Sequence, residues 1–162
     1  MKGPNAWSCL PCSASVVMDV PLEKILQSLG HDGYAVVDPN APAALRHRGF
    51  HVHEIFDVAL ALGWAVTVIE RDPTEQTQEE FLAGMPGREL YEGKRAAENR
   101  FQYYLNKYEG ILLGEHKGVP HAVAWKKGFV HDSASGYAYT LPDYKDFDCD
   151  TLLVFTIQSP RK

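Results

Sequence analysis

Three residues have the types and surroundings to carry a reaction: Cys9, His121 and Asp132. A thiol attacks as its thiolate, which is favoured at a helix N-terminus, where unpaired N–H groups and the helix dipole stabilise negative charge. Cys9 stands in Ser8-Cys9-Leu10-Pro11-Cys12, followed by small and apolar residues. Ser8 is a capping type, and a proline fits only where its missing N–H has no intrahelical acceptor. The pattern therefore predicts a helix starting at about Ser8 to Leu10, with Cys9 in its first turn. The same exposed amides would donate to the oxyanion of a tetrahedral intermediate.

A thiol also needs a base. His121 lies in Pro120-His121-Ala122-Val123-Ala124-Trp125, a strand-like run in which residues 121, 123 and 125 share one face. Asp132 follows a hairpin turn expected at Lys126-Lys127-Gly128, which puts it directly opposite His121 or on the diagonal. A carboxylate there would fix the tautomer and orientation of the imidazole. His131 is the rival base, but strand alternation sends it and Asp132 to opposite faces.

The elements that must position these residues divide the chain in two. Further helices are expected over Leu22 to Leu29 and over Val52 to Leu62, the second burying Ile55, Phe56, Ala59, Leu60 and Leu62. Residues 34–49, with two prolines, read as irregular. Strands follow at Ala65 to Glu70, Gly110 to Leu113, His121 to Trp125, Phe129 to Asp132 and Leu152 to Ile157. Between the first two strands, a short helix around Gln78 to Ala83 and a loose helical stripe over Lys94 to Tyr108 are expected. Helices first and antiparallel strands later make an α+β domain, with no internal repeat or linker dividing residues 1–162.

The motifs N-A-W-S-C-L-P-C-S-A-S, H-A-V-A-W and V-H-D-S together resemble the papain-like C39 peptidase group. The stretch I-L-Q-S-L-G-H-D-G is similar to small bacterial and phage relatives of these peptidases. The resemblance implies a papain-like fold, with N-terminal helices packed on a C-terminal antiparallel sheet. It implies a cysteine peptidase-like hydrolase acting on a peptide or protein substrate without cofactor or metal, with Cys9 as nucleophile, His121 as base and Asp132 as orienting acid. The chain departs from the pattern at two points. Leu10 stands at the motif glycine, where it would narrow the cleft. The oxyanion glutamine expected five or six residues before the nucleophile is absent at Gly3 and Pro4, leaving Asn5 as the nearest amide side chain. The cleft walls would come from the middle of the chain, including Trp64, Phe81 and Tyr91.

Two other functions compete. Cys9-Leu10-Pro11-Cys12 has the C-x-x-C spacing of a thiol–disulfide oxidoreductase, although such a motif should follow a strand in a βαβ start and only eight residues precede Cys9. A papain-like scaffold without efficient catalysis, acting as a phage-type binding or inhibitor protein, is the other. A Cys inside a helix is more often a small buried hydrophobe, the reading adopted for Cys12 and Cys149. The cluster His47, His51, His53 and Glu54 reads as a solvated helix start rather than a metal site, because its residues straddle an expected helix start instead of sharing one H-x-x-x-H helical face.

Composition narrows the partners. The 162 residues carry 16 Lys plus Arg against 21 Asp plus Glu, a net charge of -5, and so no basic field to attract nucleic acid. No apolar run approaches the roughly 20 residues of a membrane helix, and none resembles a signal-peptide core. A cytoplasmic setting follows as the expectation, and an odd number of cysteines fits free thiols there.

Overall fold

The computed structural model describes residues 2–71 and 101–158. Helix α1 (Cys9–Met18) opens the architecture and is followed by α2 (Leu22–Leu29), a single turn α3 (Ala43–Arg46) and α4 (Val52–Ala61). Six strands come next: β1 (Trp64–Glu70), β2 (Gly110–His116), β3 (Val119–Lys126), β4 (Phe129–His131), β5 (Ala138–Tyr139) and β6 (Phe147–Ile157). They form one antiparallel sheet in the order β1-β6-β2-β3-β4-β5, so the last strand lies between the first and second.

Strand alternation gives the sheet two buried faces, because consecutive side chains point to opposite sides. Ile111, Ala122, Ala124, Leu153 and Phe155 face the helix layer and pack with Leu10, Ala14 and Val17 of α1, Ile25 of α2, and Ile55, Val58 and Ala59 of α4. Leu112, Val123, Trp125, Leu152 and Val154 face the other way, against Phe101, Leu105 and Tyr144. That second face is roofed by the helical residues 101–107 and by residues 140–146, which cross from β5 at the sheet edge to β6. The Trp125 indole donates to the Leu105 carbonyl at 2.8 Å and fixes the first of these roofs.

Sequence-based bounds for α2, α4 and five strands agree with these elements to within a few residues at most ends, with two-residue turns confirming the hairpins. Lys127 and Gly128 both have positive φ (55° and 77°), as do Lys117 and Gly118 (53° and 75°). This is the mirror-image turn whose twist matches that of the flanking strands. Strands β2 and β6 run longer than expected, and β5, with two residues, is too short to leave a periodic signal. Residues 34–49 contain the turn α3 and one bridge between Val36 and His47 rather than being wholly irregular. Leu60 is 60% exposed, and Val58 takes its expected place in the core. The expected helix around Gln78 to Ala83 and the start of the Lys94 to Tyr108 stripe lie outside the described residues, as do Phe81 and Tyr91.

Candidate active site

Helix α1 runs alongside β3. Ser13 Oγ donates to the Ala122 carbonyl at 3.2 Å near the start of the strand, and Lys126 Nζ donates to the Val16 carbonyl at 2.7 Å near its end. This alignment brings the N-terminus of the helix to the end of β3 that carries His121. Cys9 is the first residue of α1 and is partly exposed.

Ser8 precedes the helix but does not cap it through its side chain. Its hydroxyl instead donates to the Asn5 carbonyl at 3.2 Å, and the Cys12 thiol donates to Ser8 Oγ at 3.7 Å. Cys12 N–H closes the first helical turn on the Ser8 carbonyl, and Pro11 has no N–H. Among the described residues, the amides of Cys9 and Leu10 consequently have no hydrogen-bond acceptor. The missing side-chain cap, contrary to the expectation for Ser8, leaves two donors at the helix tip.

Leu10 also departs from expectation. It is 5% exposed and packs into the helix-side core, so it faces away from any cleft and does not narrow one. Asn5 is held by its side-chain oxygen, which accepts from Trp7 N–H at 3.2 Å, and the amide nitrogen makes no hydrogen bond among the described residues. Trp64 lies on β1, three strands from β3, and packs beneath the helices rather than lining a cleft with His121.

His131 pairs with Ala124 across the hairpin, and continuing that register sets Asp132 across from Val123, diagonal to His121 and on its face. The contact is direct: His121 Nε2 and Asp132 Oδ1 are 2.9 Å apart, with the two side chains 12% and 4% exposed. Asp132 also accepts from Ala134 N–H on Oδ1 at 2.9 Å and from Ser135 N–H on Oδ2 at 3.1 Å. It thus closes its own turn and holds the imidazole. His131 lies on the opposite face, with Nε2 3.4 Å from the Lys126 carbonyl.

Electrostatics follow from this packing. Burial pushes the His121 imidazole down, but the Asp132 carboxylate and the neighbouring Cys9 outweigh it and raise His121 to about 9. Burial acts upward on Asp132, and the hydrogen bonds from His121 and Ala134 hold it well below the usual carboxylate range. With Nε2 committed to Asp132, Nδ1 is the ring nitrogen left for the thiol. Cys9 lies close enough to His121 to contribute to this rise.

The other two thiols sit differently. Burial pushes Cys12 up, only partly offset by its contact with Ser8. Burial also pushes Cys149 up, against the influence of Arg71. All three cysteines are free.

Two side chains joined to the site were not legible in the sequence. His116, at the end of β2, has its ring 5.8 Å from that of His121, and Tyr144 lies 5.0 Å from His116 and 5.3 Å from Phe147. Tyr144 is buried and its hydroxyl has no partner among the described residues. Burial and the nearby Asp132 push it far above the ordinary phenol range. It arrives through the crossing segment 140–146, for which local periodicity gives no signal.

Glu54 joins the neighbouring loop rather than a metal. It accepts from His51 N–H at 2.8 Å at the start of α4, contacts His31 at 3.0 Å and pairs with Arg48 at 2.6 Å. His47 stacks on Trp7 at 3.8 Å. Among the described residues, no group of three His, Cys, Asp or Glu could hold a metal ion, and no helix is long and apolar enough to cross a membrane.

No family model matches this sequence, and no curated protein does. The solved structure of a double glycine motif protease from an AMS/PCAT transporter, in complex with the leader peptide, does match. The likeness covers 98% of this chain and 90% of that chain, with a TM-score of 0.51 and 13% sequence identity. The chain has a papain-like α+β fold. The N-terminal helices α1, α2 and α4 stand on one side of the antiparallel sheet, as the sequence resemblance implied, and the helical residues 101–107 lie on the other.

Proposed function

We propose that this papain-like chain is a cysteine-dependent hydrolase of peptide, isopeptide or related amide bonds. The observation that carries the reading is the series Cys9, His121, Asp132: a helix-tip thiol beside an imidazole whose far nitrogen is fixed by a buried carboxylate.

In the proposed mechanism His121 takes the Cys9 proton, and the thiolate attacks the carbonyl carbon. Negative charge on the carbonyl oxygen is held by the N–H groups of Cys9 and Leu10, with Asn5 Nδ2 as a further donor. The imidazolium then protonates the leaving amine, giving a thioester. His121 next takes a proton from water, whose oxygen attacks the thioester and releases the acid and the free thiol. The neighbour's leader peptide supports a peptide as the substrate class.

A binding scaffold without catalysis is the second reading, favoured by the absence of the family glutamine. Iodoacetamide labelling of the reduced protein, with peptide mass mapping, separates the two. Cys9 alkylated well ahead of Cys12 and Cys149, with that lead abolished in His121→Ala, is the result expected of the hydrolase. Equal slow labelling of all three thiols would leave the scaffold.

A further inference from the structure

Cys12 is the buried nucleophilic side chain that this mechanism does not use. It is 1% exposed, and the N-terminal segment closes over it: Gly3 donates its N–H to the Ser133 carbonyl at 2.8 Å, and a Cβ on Gly3 would come within 3.2 Å of Cys12 Sγ. A dissolved oxidant therefore meets Cys9 first. Residues three apart on a helix have Cβ atoms roughly 5–6 Å apart, and a disulfide needs about 3.5–4.5 Å. The gap is closed by a small movement at a helix tip whose Cys9 and Leu10 amides make no hydrogen bond among the described residues.

We infer that Cys12 is a resolving thiol, which captures oxidised Cys9 in a reversible Cys9–Cys12 disulfide. This rests on the reading of Cys9 as the reactive thiol. A hydroperoxide, ROOH, transfers one oxygen to the Cys9 thiolate. The sulfur loses two electrons, the O–O bond breaks, the proton that Cys9 gave to His121 is returned, and ROH and Cys9 sulfenic acid result. The Cys12 sulfur then attacks Cys9, the S–O bond breaks, and the hydroxyl leaves with the Cys12 proton as water. A disulfide spanning one helical turn blocks the nucleophile and strains the turn, so an external dithiol reopens it.

The test treats the whole chain, freshly reduced, with hydrogen peroxide. Free thiols are then blocked with N-ethylmaleimide, and the peptides are mapped before and after dithiothreitol. Expected is a Cys9–Cys12 product lighter than the dithiol by about 2 Da, with full return of Cys9 alkylation after reduction. In Cys12→Ser, and in Cys12→Ala as a second packing-tolerant variant, the same treatment should carry Cys9 to sulfinic acid. Dithiothreitol should then no longer restore alkylation. Sulfinic acid forming as fast in the native chain as in these variants, or Cys9 pairing with Cys149, would overturn the inference while Cys9 remained reactive toward iodoacetamide. A Cys9 inert to both reagents would remove the hydrolase reading and this inference together.

Discussion

Asp132 divides its oxygens between an imidazole and its own turn, so Asp132→Asn should preserve much of the shape while removing the charge. Burial then governs His121, and its titration should fall from about 9 toward or below the ordinary 6.5, as read by NMR of the ring protons. The sign of the stability change follows. A folded-state value raised above the unfolded one contributes stability that is fully present below 6.5 and lost as pH rises through about 9. The advantage of the native chain over Asp132→Asn in thermal unfolding should therefore shrink across that window. Asp132→Ala, which also frees two turn amides, should destabilise by about 3 kcal/mol. Tyr144 offers the opposite sign: its buried hydroxyl has no hydrogen-bond partner among the described residues, and Tyr144→Phe should raise the urea midpoint, a gain of about 1 kcal/mol. The pairing of His121 with Asp132 could be read in advance because strand alternation and a two-residue turn leave few arrangements. Tyr144 and His116 could not, because their contact arises from a chain crossing and from the end of a strand longer than its periodic core.

At the scale of elements, the Lys127-Gly128 turn sets the site as firmly as any side chain. A one-residue shift in a hairpin exchanges the faces of every residue beyond it. Inserting one residue between Lys127 and Gly128 should turn Asp132 away from His121 and bring His131 to that face. The check is loss of the raised His121 titration while far-UV circular dichroism is retained. Gly128→Val should destabilise by about 1–2 kcal/mol, since φ of 77° disfavours a branched residue. Helix α2 was readable from spacing and its terminal glycine, which adopts φ of 74°. The side-chain cap expected at Ser8 is absent because residue type shows only that a hydroxyl can cap, whereas the turn at Asn5 decides where that hydroxyl points.

Across the whole molecule, the site is assembled from separate layers. The helix layer supplies Cys9, the sheet supplies His121, and the loop beyond β4 supplies Asp132, with the N-terminal segment tied to that loop through Gly3 and Ser133. Layer and strand composition gave the α+β class early, through the separation of helical and strand-like periods along the chain. The strand order was beyond reach, because pairing β6 with both β1 and β2 depends on contacts more than eighty residues apart on one side and on a bulged register on the other. The Glu54 cluster ties the loop after α2 to the start of α4, and Glu54→Ala should cost about 1–2 kcal/mol in chemical denaturation.

The position of β6 also sets an order of events. A chain that emerges N-terminus first presents Cys9 early, but the middle of its sheet is empty until residues 147–157 are available to fill it. Such distant pairings are slow to form. Until that strand is in place, β1 has no partner in the sheet and β2 lacks one of its two neighbours, so the sheet that carries His121 closes last.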